Sequence, residues 1–296
     1  VSKASDDPGR AGSISSLQST IIRLQRNKDR MTFGTGMLNT QETALSETNN
    51  LLVRCREIAE QAANGTQTPV SRAQLAQEVF EIRDQVAALG NTTYLGLYIY
   101  GAADDDDPPF DKTSYDNPAD PENPGHVRYI FDGETGTSTT RNIQINDGEA
   151  VRINSSGENI FTEAIGSIEK LARSLSGYKT NLDGNNLPDG VGGAYNFATE
   201  TDLQRTDILS AMDQIESVRV SKIGIERTSV GSRIARIEQV SSTLDALIQS
   251  TQTSRAAIQD ADPFEAATVF STLQQSLQAL LASGSQINQL SLMDYL

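Results

Sequence analysis

Two stretches at opposite ends of the chain carry apolar residues at steps of three and four. In the C-terminal third, Val230, Ile234, Ile237, Val240, Leu244 and Leu247 recur at that spacing, which puts them on one side of an α-helix. Beyond Asp260-Ala261-Asp262-Pro263, the same step joins Phe270, Leu273, Leu277, Leu280, Ile287 and Leu290. Near the other end, Leu17, Leu24, Met31, Leu38, Leu45, Leu52 and Ala59 stand seven residues apart without a break. The second heptad position reads Ile14 and Ile21, then Lys28, Thr35, Glu42, Asn49 and Arg56. A seam half apolar and half polar fits a mixed bundle better than a pure zipper. Ser5-Asp6-Asp7-Pro8 supplies the start signals of a helix, and Asn64-Gly65 the stop. Gly34 and Gly36 each cost about 1 kcal/mol against Ala in a helix. The heptad phase is the same on both sides of them, so the helix is expected to run through. A helix of ~50 residues spans roughly 75 Å and needs a partner along its length.

Between these ends the periodicity changes. Pro69 opens a helix over 70–89, with Leu75, Val79, Ile82, Val86 and Leu89 on one face and Gly90-Asn91 as its stop. Residues 94–100 are aromatic and β-branched, and 104–124 form an acidic, Pro-rich loop. Segments 127–131, 141–145 and 150–153 alternate at period two between Gly-containing turns and predict short strands. Helical spacing returns with Ile160, Phe161, Ile165, Ile168, Leu171 and Leu175. A Gly/Asn loop over 181–193 follows, and the long C-terminal helix begins near Thr201. The predicted fold is mainly α with a small β-rich insertion, its helical ends pairing antiparallel into a coiled-coil-like rod. The expected divisions are N-terminal rod helices at 1–95, the insertion at 96–155 and a joining helix and loop at 156–200. A rod helix at 201–262 and a terminal helix at 263–296 complete them.

Composition narrows the function. The formal net charge of −15 disfavours nucleic acid and anionic membrane as partners. With 37% hydrophobic residues and no Trp, the core is lean. No apolar run reaches the ~18–20 residues of a spanning helix, and no secretory signal opens the chain. One Cys and one His exclude an internal disulfide and argue against a His/Cys metal site. Asp104, Asp105, Asp106 and Asp107 lack the alternation of a calcium loop, as does Asp183-Gly184-Asn185-Asn186. They are expected to be a solvated run and a turn. His126 is expected on a surface loop. Cys55, between Arg54 and Arg56, is expected to pack in its helix. No catalytic constellation stands out, and neither catalysis nor a cofactor nor a metal is predicted.

Four segments resemble the bacterial flagellin superfamily. Ser5-Asp6-Asp7-Pro8-Gly9 is similar to the start of its long N-terminal helix, and the stretch from Arg54-Cys55-Arg56-Glu57 to Asn64-Gly65 is similar to that helix's end. Gly231-Ser232-Arg233-Ile234-Ala235-Arg236-Ile237-Glu238 resembles the returning helix. Ile258-Gln259-Asp260-Ala261-Asp262 resembles the passage to the terminal helix. Within the superfamily, Asp6-Asp7-Pro8 and the ending Leu290-Ser291-Leu292-Met293-Asp294-Tyr295-Leu296 look most like the hook-filament junction branch, hook-associated protein 3. That resemblance implies a structural subunit of the flagellum, joining the hook, through the first hook-associated protein, to the flagellin filament. The alternatives it leaves are flagellin itself or an unrelated secreted coiled-coil protein. It further implies an extracellular location, export by the flagellar type III apparatus without a cleaved signal peptide, an export chaperone, and copies of the chain in a ring. A segment preceding Val1 is expected from the same comparison. Phe270, Leu273, Leu277, Ile287, Leu290 and Leu292 would bury on assembly. Arg54, Ile58 and Gln61 would form a receptor or subunit contact.

Overall fold

The computed structural model describes residues 8–101, 106–115, 126–132, 140–146, 149–182, 188–197 and 199–259, with 271–272 and 274–275. Helix α1 spans Pro8–Ala63 and α2 spans Pro69–Gly90. Thr68 caps α2, its Oγ1 accepting from the Ser71 N–H at 3.1 Å, with Pro69 in the first turn where its missing donor is harmless. Strands β1 (Thr93–Tyr94) and β2 (Leu97–Tyr98) close a two-residue hairpin. Both of its central residues are left-handed, Leu95 at φ 53° and Gly96 at φ 85°. That twist matches the flanking strands. Three further antiparallel pairs follow. They are β3 (Phe110–Tyr115) with β4 (His126–Phe131), β5 (Asn142–Asn146) with β6 (Glu149–Arg152), and β7 (Tyr178–Leu182) with β8 (Pro188–Ala194). A π-helical turn at Glu158–Thr162 leads into α3, Glu163–Ser176. Helix α4 (Thr201–Val218) runs through a second π turn at Arg219–Gly224 into α5, Ile225–Gln259.

Several expectations are corrected. The 104–124 loop contains strand β3, because the Phe110 ring packs edge-on against Phe131 and Phe161. The Phe110 backbone is also held at both ends by the Asn91 amide, at 2.8 Å each way. His126 therefore lies in β4 opposite Tyr115, not on a loop. The 181–193 loop is in large part the β7–β8 hairpin, since a backbone ladder needs no side chains and tolerates Gly190, Gly192 and Gly193. The long C-terminal helix is α-helical on either side of the π turn but not across it.

The chain divides into two compact units, Asp29–Ser241 and Val1–Lys28 with Ser242–Leu296. Within the first, α1 buries more than one heptad line. Met31, Leu38, Leu45, Leu52 and Ala59 are joined by Gln41, Thr48, Cys55 and Ala62, and by Met37, Ala44 and Ile58. The wide buried face reflects several neighbours at once. Arg227 Nη2 bonds Glu42 at 2.7 Å, Arg219 Nη1 bonds Asn49 at 3.3 Å, and Arg56 lies 3.8 Å from Glu216. Ascending numbers on α1 meet descending numbers on the returning helix, so the pairing is antiparallel. Gly34 and Gly36 prove to be sites of close approach. A Cβ on Gly34 would lie 2.5 Å from Ile143 Cδ1, and one on Gly36 would lie 2.6 Å from Tyr94 Cζ. The missing side chains let β5 and the β1–β2 hairpin lie on α1. Helix α3 is buried on every side from Ala164 to Leu175, Glu169, Lys170 and Arg173 included.

In the other unit, α1 contributes Ile21 and Leu24, and α5 contributes Leu244, Ile248 and Thr251. Lys28 pairs with Asp245 at 2.5 Å, and Arg255 bonds Gln18, so the order is again antiparallel. The α5 seam runs Val230, Ile234, Ile237, Ser241, Leu244, Ile248, Thr251, in alternating steps of four and three. The sequence stripe stepped by three from Leu244 and so reached Leu247. That residue is 48% exposed, because the heptad line continues through Ile248.

Candidate assembly surfaces

Three polar nodes inside the larger unit fix which helical faces remain outside. Buried Arg72 donates from Nε to the Ala62 carbonyl at 3.1 Å and from Nη1 to Gln204 Oε1 at 2.7 Å. Gln204 in turn donates to the Ser174 carbonyl at 2.8 Å. One guanidinium thus ties the end of α1 to α2, α3 and α4. In the second node, Glu169 accepts from Arg83 Nη1 at 2.5 Å and from Arg173 Nε at 2.6 Å. Arg83 also bonds Asp84, and Lys112 of β3 reaches the same carboxylate at 3.0 Å. Burial alone would lower the Arg83 pKa, but Glu169 and Asp84 outweigh it and raise it. Burial would lift the Asp84 carboxyl, but the hydrogen bonds from Arg83 and Lys112 hold it below the usual value. The third node joins α1, β6 and α5. Gln41 donates to the Ile153 carbonyl at 2.7 Å, and Ser155 donates to Glu226 at 2.5 Å. Arg233 lies 3.4 Å and Arg152 3.7 Å from Glu226. Burial and the neighbouring Arg152 depress the Arg233 pKa, with Glu226 opposing them. Arg173 Nη1 is buried without a hydrogen-bond partner, while the other contacts of these networks tie each helix to its neighbours.

The predicted contact triad does not share a surface. Arg54 and Gln61 are exposed, seven residues apart on the outer face of α1. Arg54 bonds Glu78 at 2.6 Å and Glu57 at 3.2 Å, and both hydrogen bonds raise its pKa. Ile58, by contrast, is fully buried, because α1 buries a third heptad line there. The surface that does exist carries Arg54, Glu57 and Gln61. Cys55 is buried as expected, and burial pushes its thiol up to about 12, with Glu78 adding to the shift. Phe270, Leu273, Leu277, Ile287, Leu290 and Leu292 lie outside the described residues, as do Asp104, Asp105 and Asp183-Gly184-Asn185-Asn186. Asp106 and Asp107 are exposed. Among the described residues no group of three or more His, Cys, Asp or Glu is placed to hold a metal ion. No described helix is long and apolar enough to cross a membrane. The sequence reading missed the exposed apolar residues Leu95, Val220 and Ile225. Ile225, two positions from buried Ile223, gives no periodic signal because the helix changes pitch between α4 and α5.

Helices α1 and α5, antiparallel within each unit, lie inside two segments that match family models. Residues 1–99 match the bacterial flagellin N-terminal helical region, and residues 201–296 the bacterial flagellin C-terminal helical region. The chain belongs to the bacterial flagellin family. Family membership makes it a structural component of the flagellum. The flagellar filament 41 kDa core protein of Borreliella burgdorferi is 23% identical over 309 residues, covering 98% of this chain and 88% of that protein. Flagellar hook-associated protein 3 of Salmonella typhimurium is 26% identical over 192 residues, covering 63% and 58%. Among solved structures, FlgL of Xanthomonas campestris superposes with a TM-score of 0.62 at 14% identity, covering 82% of this chain and 99% of that one. The flagellar junction protein FlgL of Legionella pneumophila superposes with a TM-score of 0.57 at 16% identity, covering 83% and 99%. At these identities the likeness is one of fold.

Proposed function

We propose that this flagellin-family chain is the subunit that joins the hook, through the first hook-associated protein, to the flagellin filament. The observation that carries the reading is the fold: 99% of the Legionella junction protein superposes on 83% of this chain. The features at Asp6-Asp7-Pro8 and Leu290–Leu296 support the same branch. In this reading copies of the chain form a ring, with flagellin on one side and the first hook-associated protein on the other. The apolar stripe of Phe270, Leu273, Leu277, Ile287, Leu290 and Leu292 is buried between subunits, and Arg54 and Gln61 face a neighbour or an external receptor. The segment 96–155 is the outward insertion. The chain has no catalytic role. It is exported by the flagellar type III apparatus without a cleaved signal peptide, escorted by an export chaperone, and ends outside the cell.

A filament subunit is the second reading, favoured by the alignment of 98% of this chain with a filament core protein. Immunogold labelling of intact flagella with antibody against 101–153 separates the two. Label at one point near the hook is expected. Label along the whole filament would assign the chain to the filament instead.

A further inference from the structure

The turn between α1 and α2 carries Asn64-Gly65, the one Asn-Gly step in the chain. α1 closes at Ala63 and α2 opens at Pro69, so both residues stand outside the helical ladders, and both are exposed. The Asn64 N–H donates to the Gln61 carbonyl at 3.3 Å, and the Asn64 carbonyl accepts from the Gln67 N–H at 3.1 Å, which closes a turn over 64–67. Among the described residues, neither the Asn64 side-chain amide nor the Gly65 N–H has a hydrogen-bond partner. The fold does not require glycine at 65. Its φ is not left-handed, and an added Cβ would meet nothing within 4 Å. The backbone nitrogen that follows this asparagine is therefore unbonded, unshielded and open to solvent. Other asparagines are held differently. Asn91 is bonded to Phe110 in both directions at 2.8 Å. Asn154 is buried and accepts from the Arg141 N–H at 2.7 Å. Asn39 and Asn49 lie inside α1, where the next N–H is committed to the helix.

We infer that Asn64 is a site of spontaneous deamidation, through a succinimide closed by the Gly65 nitrogen, and that the main product loosens the tie between α1 and α2. The deprotonated Gly65 nitrogen attacks Asn64 Cγ. The N–Cγ bond forms, the Cγ–Nδ2 bond breaks, and Nδ2 leaves as ammonia with the proton that the Gly65 amide gave up. Water then opens the ring. Addition at Cγ restores the original main-chain path, with an aspartate at 64. Addition at the main-chain carbonyl leaves the chain running through Cβ and Cγ as isoaspartate, one methylene longer, with the former main-chain carbonyl as a free carboxylate. Water is the only co-reactant. Either product adds a negative charge just beyond the C-terminal end of α1, where the helix dipole disfavours an anion. The isoaspartyl product also lengthens the turn that spaces Ala62 from Arg72, whose Nε donates to the Ala62 carbonyl at 3.1 Å. It removes from the main chain the Asn64 carbonyl that holds the Gln67 N–H, one residue before the Thr68 cap of α2.

The test is to age the folded full chain in mildly alkaline buffer and to map its tryptic peptides by mass spectrometry. Peptide 57–72, which ends at Arg72, should exchange the mass of NH for that of an oxygen, and an isoaspartyl methyltransferase should label it. The rate should rise in proportion to hydroxide, because the attacking nitrogen must lose its proton. Peptides with Asn91 and Asn154 should stay unchanged over the same period. G65A should shift the folding equilibrium by less than about threefold and slow the reaction severalfold, since the new methyl crowds the attack. Freshly prepared N64D carries the charge without the lengthening and should also stay within about threefold, whereas the purified isoaspartyl chain should unfold at lower urea than N64D. An Asn64 that stays intact in the folded chain, while the urea-unfolded chain deamidates, overturns the inference, because the turn would then be holding Cγ and the nitrogen apart. Equal rates for G65A and the unsubstituted chain overturn the succinimide route. Equal urea midpoints for the isoaspartyl chain and N64D overturn the loosening.

Discussion

Glu169→Ala tests whether the buried ionic node holds α3 in place. The Glu169 carboxylate accepts from Arg83 and Arg173 at 2.5 and 2.6 Å, and the three side chains are only 7–9% exposed. Removing the carboxylate leaves two guanidinium groups out of water with one counter-charge fewer. Breaking such a buried pair typically costs about 3–5 kcal/mol, roughly two to nearly four orders of magnitude in the folding equilibrium. Arg54→Ala is the matched comparison. Arg54 Nε bonds Glu78 at the same 2.6 Å, but the two side chains are 47% and 42% exposed. Water and salt screen that pair, so its loss should cost under about 1 kcal/mol. Equilibrium urea unfolding followed by circular dichroism reads both variants. Identical distances with a severalfold difference in cost would assign the difference to burial. A Glu169→Ala cost no greater than that of Arg54→Ala would refute the reasoning. The two arginines would then be finding water or other acceptors, and the node would position nothing.

Acid should act on the β3–β4 hairpin through Asp84. Its pKa is depressed by Arg83 and Lys112, so the stability it lends is complete above the ordinary carboxylate value of about 3.9 and is lost as pH falls through the lower folded value. Asp84→Asn should lower the urea midpoint at pH 7, and the gap from the unsubstituted chain should begin to narrow only as pH falls below the ordinary carboxylate value of about 3.9. Cys55, buried and with its thiol raised to about 12, should resist a thiol reagent at pH 8 in the native chain and react fully in urea. Rapid native labelling would show that α1 opens there. Gly12→Ala and Gly34→Ala should act in opposite directions on thermal stability. Nothing lies within 4 Å of a Cβ at Gly12, so helix propensity should add up to about 1 kcal/mol. At Gly34 the new methyl meets Ile143 and Ile153, and the loss of packing should exceed that gain.

The long helices were legible because their periodicity is local and sustained. α1 begins at Pro8 and ends at Ala63, where the cap and stop residues stand, and Val79, Ile82 and Val86 face the core as their spacing requires. What escaped the sequence depends on partners distant in the chain. Strand β3 sits in acidic, Pro-rich surroundings, and its reason for being extended is the Asn91 amide and the Phe161 ring. β8 is read as a loop because glycine signals turns, although a paired backbone accepts it. Gly34 and Gly36 reveal nothing in one dimension about Ile143 and Tyr94. Ile58 entered the contact through the family resemblance, and the two heptad positions read on α1 did not mark it as core because the helix buries a third line there. A π turn adds one residue to a period, and a window that averages over several turns smooths it away. The terminal stripe beyond 263 remains a matter of pattern.

The returning helix closes on α1 across a great length of chain. Glu42 waits for Arg227, 185 residues later, Arg72 waits for Gln204, 132 later, and Gln41 waits for Ile153, 112 later. During synthesis at roughly 5–20 residues per second, some ten to forty seconds separate the two halves of the Glu42–Arg227 pair. For that interval α1 exists without the surface that covers it, and an isolated helix has little stability of its own. Helices α2, α3 and α4 meet over shorter separations and can collapse first. Folding of this unit is therefore gated by its last third, and the growing chain stays pliable until most of it has been made.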